Sequence, residues 1–255
     1  MRIRAFQGLV PSPEHAPEVA CVPYDVVNAT EAAALAAGRP HSLLHVDRAE
    51  IDLPPATDPH AEIVYQTARK NFLELQKAGV RRRETEPCLY VYQQRMGAHR
   101  QRGLVAVCNV EDYDAELIKK HEKTRKDKED DRTHLIDTLG ANTGPVFLTY
   151  RDEAAVMALV DAKVREAPLH DFTAPDGIQH TVWRITANEE WIRAFGRVPL
   201  TYIADGHHRA AIAARVALLR RAQKPRHTGA EDYNGFLCVL FPASYMKIVP
   251  DNRIV

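Results

Sequence analysis

Net charge is the first thing this sequence lacks: 34 lysines and arginines meet 34 aspartates and glutamates. So balanced a chain argues against bulk nucleic acid or an anionic membrane surface as its partner, although a local basic patch stays open. No apolar run approaches the roughly 18 residues that a membrane span needs. The first residues carry no apolar signal-peptide core. These absences predict a cytoplasmic protein with no membrane partner. Cysteine is also scarce. Cys21, Cys88, Cys108 and Cys238 stand alone, with no CxxC pair, which speaks against a zinc ribbon or a redox motif and predicts free thiols. Three signatures are missing as well: GxxxxGK[ST], GxGxxG and GxSxG. A nucleotide, if bound, is held by neither a P-loop nor a Rossmann turn, and no serine-hydrolase elbow is present.

What is there is a normal globular balance, 45% hydrophobic over 255 residues, with patterns of both periods. Strands are expected over residues 3–7, 19–22, 42–46, 146–150, 200–204, 235–241 and 245–249. Two hairpins are expected, 88–110 turning at Gly97 and 169–185 turning at Asp176-Gly177. Helices are expected after the Asn28/Glu31 capping box, from Asp58 and Pro59 to Ala78, over 153–166, and after Asn188. The reading is a mixed α/β (α+β) fold in two lobes, residues 1–118 and 146–255, joined by a charged lid or linker over 119–145.

The densest chemistry lies at Asp205-Gly206-His207-His208-Arg209. A short apolar strand runs into this turn, and Ile212, Val216 and Leu219 then recur at helical spacing. Gly206 suits positive φ or a close ligand approach. A helix start presents unpaired N–H groups and partial positive charge, so it attracts anions. Two histidines and an arginine add donors fit for phosphate. Asp205 also reads simply as an N-cap. A zinc pair from His207 and His208 is disfavoured, since adjacent helix residues point apart.

The second stretch is residues 119–132, in which 12 of 14 residues are charged, seven basic and five acidic. It reads as a solvated helix with i,i+4 pairs, or as a lid that orders over a charged ligand. His121-Glu122 is not a zincin motif, because Arg125 stands where the second histidine is required. Asp25, at a strand end among apolar neighbours, is either a turn residue or a carboxylate fit for base work. Asn142, in a turn with two glycines, either binds a ligand or bonds its own backbone.

These elements carry a resemblance. Pro23-Tyr24-Asp25-Val26-Val27, His121-Glu122-Lys123-Thr124, residues 128–132, Asn142-Thr143-Gly144-Pro145 and Ala204 to Arg209 resemble the bacterial and archaeal family called domain of unknown function 1015. The resemblance covers almost the whole chain. The DGHHR turn also resembles the strand–turn–helix of the ParB/sulfiredoxin superfamily, whose equivalent turn binds nucleotide phosphate. One branch of that superfamily phosphorylates free serine. The resemblance implies a serine kinase, or the reverse phosphoserine phosphatase, using ADP or ATP with Mg²⁺. Gly206, His208, Arg209 and Asn142 would then bind phosphate or nucleotide. His207 would join them, and Asp205 would hold the metal or orient a histidine. Asp25 or Glu122 would take the acceptor's proton. His121, Lys123, Arg125, Asp131 and Arg132 would act from the lid. The alternative it implies is a ParB-like nucleotide-binding module acting on DNA or a protein partner, against which the zero net charge stands. A sulfiredoxin-type activity needs a cysteine where His207 stands. A homodimer is left open.

Overall fold

The computed structural model describes residues 1–124 and 126–247, with side chains at 126–128 left aside. In chain order the elements are β1 (Ile3–Arg4), β2 (Leu9–Pro11), α1 (Ala16–Val19), α2 (Ala29–Ala36), α3 (Leu44–Asp47), α4 (Glu62–Lys77), β3 (Arg81–Arg83), β4 (Leu89–Met96), β5 (His99–Asn109), α5 (Val110–Asp114), β6 (Ile118–Lys119), α6 (Lys126–Leu139), β7 (Val146–Tyr150), α7 (Ala154–Lys163), β8 (His170–Thr173), β9 (Gln179–Ile185), α8 (Asn188–Phe195), β10 (Thr201–Asp205), α9 (His207–Gln223) and β11 (Gly235–Pro242).

The main sheet runs β6-β10-β7-β11-β5-β4-β9-β8, with β1 beside β5 where β4 has ended. It is mixed: β10 is parallel to β6 and β11 to β7, and the other pairings are antiparallel. The fold is α+β. The sheet does not follow the expected lobes, because β4 and β5 from the first pair with β9 and β11 from the second. Alternation explains the strands. In β7, Val146, Leu148 and Tyr150 are buried while Phe147 and Thr149 are half-exposed, the period-2 signature of a sheet packed on one face. Helices α7, α8 and α9 contribute Val156, Val160, Trp191, Phe195, Ala210 and Ala213 to the core that covers these strands. A smaller body lies beside it, where α4 lends Val64, Tyr65 and Ala68 to a cluster with Leu135 of α6.

Several local expectations are corrected. The strands expected over 19–22 and 42–46 do not form: Val19 ends the short helix α1 and 20–22 have no regular structure, while 44–47 are the short helix α3, because so few apolar residues fit either period and packing decides. Helix α4 starts at Glu62, not Pro59. Asp58 instead accepts from the His60 amide. Asn188 caps no helix. Its side chain accepts from the Leu89 amide and donates to the Pro87 carbonyl, fastening α8 to β4. Residues 243–245 form a single 3₁₀ turn, and the rest of the strand expected over 245–249 lies partly outside the described residues. The Asn28/Glu31 capping box is present as read.

Two measurable consequences belong to this scaffold. A Cβ on Gly235 would lie 2.3 Å from Val107 Cγ1 and 3.1 Å from the Cys108 carbonyl oxygen. Val107 is β-branched and has little freedom to move away. Gly235→Ala is therefore expected to cost about 2–3 kcal/mol, the upper part of the usual over-packing range, read as a lower urea midpoint at unchanged slope.

The second consequence concerns His170, which is buried with neither ring nitrogen hydrogen-bonded. Burial, then the nearby Arg184 charge, pushes its pKa down, with Glu84 opposing. The native state thus holds a neutral ring, while the unfolded chain takes up a proton near about pH 6.5. The stabilisation is complete above that value and is lost as pH falls below it. His170→Phe should flatten the fall in urea midpoint between pH 7.5 and 5.5. It should not abolish the fall, because burial also lowers His180 and His207. An unchanged pH slope would exclude His170 as a contributor.

Candidate functional site

Parallel pairing builds the site. Ile118 and Lys119 of β6 run beside Thr201 and Tyr202 of β10 in the same direction, so both strands empty their following segments at one end. The segment after β6 carries His121 and Glu122. The segment after β10 is Asp205-Gly206-His207. Antiparallel β7 pairs Phe147 with Asp205, which brings the 140–145 turn to the same end.

Gly206 is the N-cap of α9 with φ +88°, a left-handed conformation that side chains rarely adopt. Asp205 is therefore not the cap. Its side chain is 63% exposed, with a carboxylate oxygen 3.6 Å from Arg209 Nη1. His207 opens the helix and is buried, its side chain only 4% exposed. Its Nδ1 lies 3.3 Å from Glu122 Oε2, and its Nε2 is buried without a hydrogen-bond partner. The His121 ring stands edge-on to the His207 ring at 4.3 Å between centroids. Burial pushes the His207 pKa down, opposed by the Glu122 charge, so the ring is neutral at ordinary pH.

Arg209 has a different part from the one expected. Its Nη2 donates to both Asp25 carboxylate oxygens at 2.8 Å, and its Nη1 donates to the Pro145 carbonyl at 2.9 Å. These Nη donors tie three segments together, while Nε is buried without a hydrogen-bond partner. Asp25 is correspondingly occupied as an acceptor, within a 3₁₀ turn over Tyr24–Val26. Gly144 lies against the same side chain; a Cβ there would meet Arg209 Cδ at 3.6 Å. Tyr24 extends the layer. Its ring carries the Arg132 guanidinium at 3.8 Å and the Arg209 guanidinium at 5.7 Å, a cation–π arrangement.

Half of the charged stretch is a packed helix rather than a lid. From residue 126 it is helix α6, packed against both α4 and α9. Arg215 of α9 pairs with Glu129 and Asp130, and Arg220 with Asp137. Asp131 accepts from the Tyr65 hydroxyl at 2.6 Å and pairs with His60 Nδ1 at 3.1 Å. Arg132 donates to the Asp47 carbonyl. Asp131 and Arg132 are thus spent on holding α6 to its neighbours. The reason is complementarity: α9 presents arginines where α6 presents carboxylates. Of the other expected residues, Lys123 and Asn142 are exposed and His208 is half-buried. Arg125 lies outside the described residues.

Sequence reasoning missed Asp47 and Thr143. Asp47 is buried and accepts from the Thr143 hydroxyl. Burial pushes its pKa up, opposed by Thr143 and Arg132. The available signal was a carboxylate ending the apolar run Leu43-Leu44-His45-Val46. A half-open cavity of about 60 Å³ lies beside Asp47, Tyr65, Asp131 and Arg132, not at the α9 turn. The four cysteines are free, and burial pushes the Cys21 thiol up to about 12, which leaves it unreactive.

The family model described as "Protein of unknown function (DUF1015)" matches residues 3–255. The chain belongs to the DUF1015 family. No curated protein and no solved structure matches it. In this DUF1015 chain the family-like elements named from sequence come together in space: residues 24–25, 121–122, 143–145 and 205–209 meet around the start of α9. No helix among the described residues is long and apolar enough to cross a membrane.

Proposed function

We propose that the chain carries out nucleotide-dependent phosphoryl transfer on a small hydroxyl amino acid, serine or a close analogue. The observation that carries this reading is the start of α9. A 17-residue helix begins on a left-handed glycine, with Asp205, His121 and Glu122 exposed around it. A helix start carries partial positive charge and directs its first-turn amides outward, which suits the phosphates of ADP or ATP. The rim is open to solvent, as a site exchanging two small substrates requires.

In this reading Asp205 is the proton acceptor. The acceptor hydroxyl loses its proton to that carboxylate as the oxygen–phosphorus bond forms. The bond from phosphorus to the leaving nucleotide oxygen breaks, giving AMP from ADP or ADP from ATP. Mg²⁺ accompanies the nucleotide, and Lys123 with the first-turn amides balances charge on the transferred group. The Asp25–Arg209–Pro145 linkage keeps the turn in place. Run backwards, the same site makes nucleotide from phosphoserine; with water as acceptor it is a phosphatase.

The test is direct. Protein with Mg²⁺, L-serine and ADP or ATP should yield phosphoserine by mass spectrometry, and phosphoserine with AMP or ADP should yield serine. Absence of turnover in both directions, with no nucleotide binding by calorimetry, would overturn the reading.

A further inference from the structure

His121, Glu122 and His207 form a second feature of this end of the sheet. One donor atom from each lies within 4.8 Å of the others. We propose that these three side chains are the protein ligands of a divalent transition-metal ion, of the zinc, cobalt or manganese class.

The donor set points to that class. Two imidazoles and one carboxylate suit zinc and its neighbours, whereas magnesium prefers an all-oxygen shell. Bonds of about 2.0–2.2 Å put tetrahedral donors about 3.3–3.6 Å apart. The His207–Glu122 separation of 3.3 Å already matches. The remaining closure falls to His121 and Glu122, whose side chains are each 61% exposed and free to turn.

His207 is 4% exposed and turns its Nδ1 toward the Glu122 carboxylate, the side on which the ion would sit; its Nε2, on the other side of the ring, is buried without a partner and takes no part in the site. Gly206 and the first turn of α9 fix where this ring sits, so it is the rigid ligand to which the two mobile ones come. Three protein ligands leave coordination positions for water or a phosphate oxygen.

Metal binding stands on these side chains alone. Its use, polarising the transferred phosphoryl group, rests on the proposed function. Asp205 then has no need to hold a metal.

The experiment uses the full chain, free of any affinity tag and stripped with a chelator. Cobalt(II) is added and its visible d–d absorption followed; zinc(II) is titrated by calorimetry; no nucleotide is present. One ion per chain is expected. His121→Ala and Glu122→Gln, both at exposed positions, should each weaken binding about tenfold or more while leaving the circular dichroism and thermal midpoint of the stripped protein unchanged. Failure of the wild type to bind either ion, binding unaffected by both substitutions, or equal preference for magnesium would overturn the site. Phosphoserine formation by a protein that binds neither cobalt nor zinc would sink the metal site alone. Metal binding with no turnover would sink the phosphoryl-transfer reading alone.

Discussion

Asp25→Ala is expected to lower stability by about 2–3 kcal/mol and the thermal midpoint by roughly 5–10 °C. The substitution removes a carboxylate that is 36% exposed, but it strips the partner from a guanidinium only 10% exposed. Breaking a fully buried pair costs about 3–5 kcal/mol, mainly because the surviving charge is left uncompensated. Solvent at Asp25 reduces that figure. Arg209 would retain the Pro145 carbonyl, the more distant Asp205 and the Tyr24 ring face. The clean check is a double-mutant cycle with Arg209→Met. Removing both charges should cost less than the sum of the single losses by about 1 kcal/mol or more. Additive losses would show that the pair is not coupled and that the turn is held by something else.

Asp205→Asn should do the opposite. Turnover of serine to phosphoserine is expected to fall about 10²–10⁴-fold, the usual contribution of a positioned base. Stability should move by no more than about 0.5 kcal/mol, because the side chain is 63% exposed and its one cationic neighbour is at 3.6 Å. The measurement is kcat for phosphoserine formation beside a thermal melt of the same preparation. A variant that keeps its turnover removes Asp205 from the chemistry. A variant that loses several kcal/mol shows the carboxylate to be structural. The two aspartates are thus separable: one is expected to hold the fold, the other to move the proton.

Much of this was legible in the sequence where short-range rules dominate. The strand–turn–helix at Gly206, the 89–109 hairpin and the Asn28 capping box follow from local chemistry, and the structure bears them out. The gathering of residues 25, 121–122, 144–145 and 205–209 was suggested by motif resemblance, not by periodicity. What the sequence hid was mutual occupation. That the two Nη groups of Arg209 are taken up by Asp25 and Pro145, both more than 60 residues away, could not be seen from the sequence. Residues 126–139 look like a free charged helix because their partners, Arg215 and Arg220, lie on another element. Leu44 to Asp47 was misread because four residues hold too little periodic information to choose between strand and helix.

Strand β6 is two residues long and lies at the outer edge of the sheet, against β10 alone. His121 and Glu122 therefore follow a two-residue edge strand, while His207 is buried at the start of the 17-residue helix α9. The two halves of the cluster differ in exposure: His121 and Glu122 are each 61% exposed, whereas His207 is 4% exposed. An occupant that draws them back onto His207 would pin the sheet's weakest margin, so that filling the cleft and fastening that border become one event.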